Sequence, residues 1–392
     1  MPPARSLRSL AILYGGSSAM LRVCDPMLPA LGLEFGVTTG RAAFTVSAFA
    51  VAYGLLQLFF GPVGDRFGKR RVIGYCGIGC VVGNALALFA WSLDALIVAR
   101  IVAGITAAGM GPLMLAWIGD TVPYEQRQTV LAKFMVSSLT GLIAGQWLSG
   151  VVTDLFGWRT VFAVLAVLFC IGGLVVACDP DVQRDKGSQA RGGYLDGLAQ
   201  VLAIPWARWI LLLTVCEGGF TFAAMAFMPS FLVRDYGLRL SVAAGLAAVY
   251  GVGGIGYAFL ARQLVPRLGE AGIARWAGLA MAISWLAVAV VHHWAVIIPA
   301  MLVAGLGFYS LHGVLQTNAT QMAPQARGTA LGLFASAMFA GIALGVWSAS
   351  HVVDAGGYRP LFVVCAVALG LLGQAVSWRL IRQRYAFAAP KD

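Results

Sequence analysis

The chain is a succession of long apolar runs separated by short polar breaks. A helix needs roughly 20 apolar residues to cross the hydrocarbon core of a bilayer. Only 11% of the residues are charged, whereas a soluble domain carries about 25%. The sequence therefore predicts an all-α integral membrane protein with twelve transmembrane helices, at about 8–31, 41–63, 71–91, 95–118, 128–151, 159–178, 207–232, 242–264, 275–296, 298–322, 328–350 and 359–380.

One polar segment interrupts this pattern near the middle of the chain. Residues 179–205 carry seven charged side chains and are too polar to cross a membrane. We therefore expect an N-terminal six-helix bundle over 1–178, a cytoplasmic linker over 179–206 and a C-terminal six-helix bundle over 207–392.

The two halves also repeat each other in sequence. Identical residues recur at an offset of 200 through the fifth and sixth spans of each half, and at an offset of 201 near the second span. Two parallel halves of six spans are typical of transporters that bind substrate at the interface between the halves. The matching pairs include Arg127/Arg327, Gly141/Gly341, Gly145/Gly345, Trp147/Trp347, Asp154/Asp354, Gly157/Gly357, Arg159/Arg359, Arg66/Arg267 and Gly68/Gly269.

The net charge of +11 is explained by membrane orientation rather than by a nucleic-acid partner. In the predicted topology about twenty of the 27 Lys and Arg residues lie on one side. An excess of Lys and Arg near span ends marks the cytoplasmic side. We expect both termini in the cytoplasm and the protein in the plasma (inner) membrane of a bacterium.

The residue types that build catalytic or metal centres are scarce. The seven cysteines lie mostly inside apolar runs at no ligand spacing, and no phosphate-binding loop, nucleophile triad or metal-ligand cluster is recognisable. The sequence predicts no metal, no cofactor and no enzymatic activity.

Residues 61–71 read GPVGDRFGKRR and lie between two apolar runs. Five of these eleven residues are charged, so the segment must be a short aqueous turn. Taken alone, it is consistent with a loop that sets membrane topology.

The order of residues in this turn resembles the loop between spans two and three of the major facilitator superfamily. The resemblance implies two six-helix bundles that rock about a central site, with this loop as part of a gate. Its aspartate is then expected to face a helix of the opposite half and charges below span four. The gating candidates are Gly61, Asp65, Arg66, Gly68, Arg70, Asp120 and Arg127.

Ionisable residues inside the spans are rare and are candidates for function. Placing one at the bilayer centre costs about 2.5–3.5 kcal/mol on insertion scales, so each must face a wet cavity or a partner. Arg22 and Asp25 are three residues apart and share a helix face, and Arg100 is expected at a similar depth in span four. Glu217 lies in the middle of span seven, where it could bind protons, bind a cationic substrate or bond to a polar neighbour in span ten.

Two of these positions resemble motifs of the drug/proton antiporter branch of the superfamily. Asp25-Pro26 in span one matches the place of its proton-carrying acid, and Arg100 matches its span-four arginine. Two departures weaken this match: Ala103 replaces the usual glutamine, and Gln146 replaces the proline of the span-five motif. A static ion pair between spans one and four is the alternative for Asp25. Arg22, Asp25, Arg100 and Glu217 are the proton-coupling candidates.

The resemblance also implies that spans one, four, seven and ten border a substrate cavity. Polar or aromatic side chains are candidates to line it, although hydrogen bonds between helices would explain most of them equally well. These candidates are Tyr53, Gln57, Gln146, Trp147, Phe220, His312 and Gln316.

These features predict a monomeric secondary transporter that exports small hydrophobic or amphiphilic compounds in exchange for protons. The alternative is proton-linked uptake or facilitated transport of a small metabolite. The expected partners are the small-molecule substrate, protons and the lipid bilayer.

Overall fold

The computed structural model describes residues 4–178 and 194–388, and within these ranges the chain folds into helices without strands. The first half contains α1 (Ala4–Met20), α2 (Cys24–Phe35), α3 (Thr39–Ala42), α4 (Phe44–Phe67), α5 (Lys69–Leu88), α6 (Leu93–Ala107), α7 (Met110–Thr121), α8 (Tyr124–Phe156) and α9 (Trp158–Ala177). The second half contains α10 (Tyr194–Ala203), α11 (Pro205–Tyr236), α12 (Leu240–Val290), α13 (Ile297–Gln321), α14 (Arg327–Gly356) and α15 (Tyr358–Ala388).

The described helices agree with the predicted all-α membrane architecture of twelve crossings. Ten helical segments are long and apolar enough to span a membrane. One of them, α12, is 51 residues long and bends at Gly269, where φ is 63° and ψ is 174°, so it accounts for two crossings. The twelfth is formed by α1 and α2, since the predicted span 8–31 is broken by a turn at 21–23.

The predicted linker is described only in part. Residues 179–193 lie outside the described residues, and α10 follows them. Gly197 of α10 lies beside Thr329 at the start of α14. The division into domains at 178 and 207 stays a prediction.

The sequence repeat corresponds to a repeat in backbone geometry. All six residues described with positive φ are glycines, and they fall into three pairs separated by 200 or 201 residues. Glycine adopts this backbone conformation without the steric penalty that a Cβ imposes, so the same turn residue is required at each matching position. The pairs are Gly36/Gly237, Gly68/Gly269 and Gly157/Gly357.

Helix packing repeats in the same way. Gly141 of α8 packs directly on the backbone of Gly15, and Gly341 of α14 packs on the backbone of Val215. Small residues allow such close approach between membrane helices. The first and fifth spans of each half are therefore held together by equivalent glycines.

Two ends of the bundle must be distinguished. We call the end that carries residues 61–71 and 119–127 the motif end. We call the end that carries residues 36–41, 154–158, 237–241 and 354–358 the far end.

Candidate transport site

A cavity of about 600 Å³ lies between the two halves. Its walls come from α1, α4 and α8 of the first half and from α11, α12, α13 and α14 of the second. The walls are mainly apolar, with Phe49 and Phe339 on one side and Phe222 and Phe308 on another. Pockets of roughly 300–1,000 Å³ hold small organic ligands.

The break in span one places an ion pair at the edge of this cavity. Helix α1 ends at Met20 and α2 begins at Cys24, so Arg22 lies within the irregular turn and Asp25 lies just after it. The Nε atom of Arg22 is 3.1 Å from Oδ2 of Asp25, and these side chains are 4% and 0% exposed. The contact is an ion pair and not a well-aligned hydrogen bond, since neither oxygen of Asp25 accepts one. Arg22 lines the cavity and Asp25 lies behind it.

Arg100 stabilises the broken helix from the adjacent span four. Its Nη2 donates a hydrogen bond to the Met20 carbonyl at 2.8 Å, and its Nε donates one to the Thr45 carbonyl at 3.4 Å. Its guanidinium also lies 4.1 Å from the centroid of the Phe49 ring. Carbonyl groups at a helix end lack partners within the helix, and Arg100 supplies one. The predicted proximity of Arg100 to Arg22 and Asp25 is found, but Arg100 makes its hydrogen bonds to backbone groups.

A second acid–base pair lies in the other half. The Nδ1 atom of His312 is 3.0 Å from Oε2 of Glu217. Glu217 is fully buried and His312 is 23% exposed. His312 stacks on Phe308, with 5.4 Å between ring centroids, and lines the cavity.

The two pairs have the same arrangement. The base, Arg22 or His312, lines the cavity, and the acid is buried behind it. Tyr250 and Tyr309 lie within electrostatic range of Arg22, and Tyr250 also lies near Glu217. Tyr250 thus lies near one member of each pair.

The predicted cavity residues fall into two groups. His312 and Gln316 line the cavity. Tyr53 is buried behind the wall, with its ring centroid 4.3 Å from that of Phe339. The remaining four lie away from the lining: Gln57 and Gln146 are buried, Trp147 is half exposed beside Gly245, and Phe220 lies in a groove between α11, α14 and α15.

Span four contributes no residue to the described lining, contrary to the expectation for spans one, four, seven and ten. Spans one, seven and ten do line it, and spans two, five, eight and eleven contribute as well, through α4, α8, α12 and α14. The large side chains of Phe49 and Phe339 occupy the wall.

Comparison with known proteins identifies the family. A family model described as Major Facilitator Superfamily matches residues 10–346. The chain belongs to the Major Facilitator Superfamily. The chain is 30% identical over 378 residues to SCO4007, a probable transporter of Streptomyces coelicolor. The aligned region covers 92% of this chain and 83% of that relative. The chain is 27% identical over 375 residues to a probable sulfoacetate transporter, SauU, of Cupriavidus necator, with 88% and 86% covered.

The fold of this facilitator is also found among solved structures. A bacterial homologue of the human lysosomal transporter Spinster, in an inward-facing and unoccupied conformation, superimposes with a TM-score of 0.79 at 18% identity. The match covers 97% of this chain and 98% of that chain. The protein is thus a multi-pass membrane transporter and not an enzyme.

The predicted gating residues of this facilitator form a network at the motif end. Asp65 pairs with Lys69 at 3.0 Å, and Lys69 also pairs with Asp120 at the end of α7. Arg127 donates a hydrogen bond of 2.6 Å to the Gly119 carbonyl. Asp65 is therefore joined to Asp120 below span four through Lys69, while its expected contact with a helix of the opposite half stays a prediction.

The other gating candidates shape this turn. Gly68 has a φ of 92°, a conformation that favours glycine. Arg70 is buried above the Trp117 ring, at 5.3 Å, and Arg66 lies over the Phe67 ring. Gly61 is exposed on α4. A gating role for these residues stays a prediction.

The far end contains contacts between the halves that sequence reasoning did not assign to a gate. Asp154, in the last turn of α8, accepts a hydrogen bond of 2.6 Å from the Ser241 N–H at the start of α12. Asp354, in the last turn of α14, accepts hydrogen bonds from the Thr38 hydroxyl at 2.7 Å and the Gly40 N–H at 3.1 Å. Each carboxylate thus binds a helix N-terminus of the opposite half, where the helix dipole favours negative charge.

These two contacts are equivalent under the repeat, since Asp354 follows Asp154 by 200 residues and Ser241 follows Gly40 by 201. The signal that identifies them in the sequence is the acidic pair itself, Asp154 and Asp354, repeated at an offset of 200. We call these two contacts the far-end latch.

Proposed function

We propose that this facilitator couples the movement of small amphiphilic compounds to the movement of protons by alternating access. The carrying observation is the pair of buried acids, Asp25 and Glu217, each in contact with a base that lines the central cavity. Ionisable side chains at membrane depth are costly and mark ion pathways. Hydrophobic cavity walls support an amphiphilic substrate over a strongly polar one.

The contacts of Asp25 support proton coupling through this residue. The ionised carboxylate is held by Arg22, and protonation removes that attraction. Arg22 can then reorient toward the cavity, so protonation changes the charge that the substrate meets. The proton-coupling assignment includes Arg100, which fixes the broken helix that carries both residues, and Glu217, which acts in the same way through His312.

The far-end latch supports alternating access between two arrangements of the halves. In the present arrangement it joins the halves at one end, and the cavity lies between the latch and the motif end. We infer that the motif end and both chain termini are cytoplasmic, as the distribution of Lys and Arg indicates, which makes this arrangement inward-facing. The corresponding location is the bacterial plasma membrane, and the proposed functional unit is a monomer.

Export in exchange for protons is the first candidate direction. It is supported by the resemblance of the Asp25 and Arg100 motifs to those of drug/proton antiporters. Proton-linked uptake of a metabolite is the second candidate. Arg22, a fixed cation in the cavity wall, favours it, as does the relative named for sulfoacetate.

A toxicity panel in an efflux-deficient bacterium tests export through Asp25. The native chain is compared with Asp25→Asn at matched membrane levels, and with Asp94→Asn as a control, because Asp94 is a highly exposed carboxylate paired with Arg41. We expect the native chain and the control to protect against some compounds and Asp25→Asn to protect against none. Protection by all three would contradict coupling through Asp25, and protection by none would favour uptake.

A further inference from the structure

The ionisable side chains that reach the cavity are all basic or phenolic. Within the described residues its lining contains Arg22, His312, Tyr257 and Tyr309, and it contains no Asp or Glu. The acids of both pairs are fully buried behind their bases. A cationic ligand would find no carboxylate on the cavity surface.

One donor atom of the cavity-lining Arg22 has no partner. The Nη2 atom of Arg22 is buried and makes no hydrogen bond, although the same guanidinium pairs with Asp25 through Nε. A buried donor without a partner costs free energy, and a guanidinium is suited to a second, planar or tetrahedral anion. Arg22 also lies 4.8 Å from the centroid of the Phe222 ring, which places an aromatic face beside the free donor.

The rest of the wall is suited to an apolar body. Phe49, Phe222, Phe308 and Phe339 enclose the cavity from both halves, and its volume is about 600 Å³. His312 lies on the opposite half from Arg22 and keeps part of its ring exposed. A ligand with one charged head and one hydrophobic body can therefore reach a base and the aromatic wall together.

We propose that the substrate is an amphiphilic organic anion, with a carboxylate or sulfonate bound by Arg22 and a hydrophobic body packed against the phenylalanines. This inference names the substrate class of the proposed transport function and rests on it. His312 is the second basic side chain in the cavity lining. A neutral ligand with a carbonyl oxygen could accept from the same donor, but without the attraction between opposite charges that strengthens such a bond.

The anion and Asp25 compete for the same guanidinium. The cations that face Asp25 are Arg22, in the turn between α1 and α2, and Arg100 of span four, while Tyr250 and Tyr309 face Arg22 from the opposite half. Neutralising Asp25 frees Arg22 for the ligand, so anion and proton favour each other's binding. This relation is what cotransport requires, and it favours the second candidate direction.

Binding of four shape-matched probes to the purified full chain in lipid nanodiscs tests this assignment. The probes are 2-naphthoate, naphthalene-2-sulfonate, the neutral 2-naphthamide and the cationic 2-naphthylmethylamine, measured by titration calorimetry. We expect both anions to bind roughly tenfold or more tightly than the amide and the amine, as one charge-assisted contact provides. Equal or tighter binding of the amide or the amine, or no binding of either anion, would overturn the proposal.

Variants separate a binding role of Arg22 from a structural one. Arg22→Gln removes the charge and should abolish the preference for anions, whereas Arg22→Lys should retain most of it and Arg41→Gln, at an exposed cation, should leave it unchanged. Asp25→Asn should tighten anion binding by several fold. If Arg22→Gln fails to fold, Asp25→Asn and His312→Gln still test the site, and weaker or unchanged anion binding in Asp25→Asn would contradict the competition.

The binding assay is independent of proton flux. Anion selectivity without coupled proton movement would reject the proposed coupling and retain the substrate class. Proton-coupled transport of the amide without anion selectivity would reject the substrate class and retain the proposed coupling.

Discussion

Arg22 occupies the position at which the second half of the chain carries Phe222, and the two side chains touch across the interface between the halves. Asp25 likewise corresponds to Met225 at the same offset. The two halves therefore share the helical framework, and the charged residues Arg22 and Asp25 occur in the first half only, at positions where the repeat is not conserved in sequence. A cation against an aromatic face contributes about 0.5–2 kcal/mol, which adds to the ion pair in fixing Arg22.

Arg100 is a buried residue whose hydrogen-bond geometry, and not only its charge, explains why an arginine occupies this position. Its two carbonyl acceptors lie on different helices, Met20 on α1 and Thr45 on α4. A guanidinium can donate to both because its donors are spread over a planar fork. A lysine ammonium at the same site is a compact point charge.

We therefore predict that Arg100→Lys lowers the melting temperature of the purified protein, with a loss of about 1–2 kcal/mol from one hydrogen bond and the contact with Phe49. Arg41→Lys is the matched control, because Arg41 is about half exposed and contacts the surface residue Asp94. Differential scanning fluorimetry in detergent measures both. An unchanged melting temperature for Arg100→Lys would contradict the role of Arg100 in holding the broken helix.

At the scale of elements, the far-end latch joins the C-terminal turn of one helix to the N-terminus of another in the opposite half. A carboxylate at a helix N-terminus contributes about 0.3–1 kcal/mol when exposed, and each hydrogen bond adds to this. The two equivalent contacts of the far-end latch hold the halves symmetrically. Another ion pair of this end lies within the first half: Glu34 contacts Arg159 and Trp158.

Glu34 lies beyond residue 31, the predicted limit of span one. Partial burial alone would raise the pKa of Glu34, but hydrogen bonds from Arg159 and Trp158 outweigh it and hold that pKa below its usual value. Glu34 therefore stays ionised near neutral pH, and the pair remains intact while the latches between the halves open.

We predict that Asp154→Ala combined with Asp354→Ala shifts the population toward arrangements open at the far end. Loss of about 1 kcal/mol per latch changes the ratio of the two arrangements by roughly 30-fold. Distances between spin labels on Leu33 and Arg239, both exposed at the far end, should lengthen. The same distribution in Asp94→Asn should match the native one, and an unchanged distribution in the double variant would show that the latch does not hold this end closed.

At the scale of the whole molecule, the apolar runs and the repeat were sufficient to predict the class of fold. Both signals depend only on residue type and spacing. The repeat in sequence is matched by a repeat in backbone geometry, since Gly68 and Gly269 both have positive φ. Ion pairs follow the repeat too, since Glu34–Arg159 in the first half corresponds to Asp235–Arg359 in the second. The match to the Major Facilitator Superfamily confirms the family.

The site was predictable only in part. Ionisable residues are rare inside membrane spans and costly to place there, which identified Arg22, Asp25 and Glu217 as residues that need partners. The structure shows partners for all three. The directions of side chains were not predictable, because a hydrophobic helix carries no strong signal for which face meets the cavity. Gln146 and Phe220 were chosen by residue type and lie elsewhere, while Phe49 and Phe339 lie in the wall and carried no polar signal.

The central claim is that protons move with substrate through Asp25, and proton flux in proteoliposomes tests it most directly. A pH-sensitive dye inside the vesicles records proton movement after addition of the compound that the panel or the binding assay identifies. We predict substrate-dependent proton movement for the native chain and for Asp94→Asn. Asp25→Asn should bind the compound but move no protons with it. An Asp25→Asn protein that moves as many protons per substrate as the native chain would contradict the account.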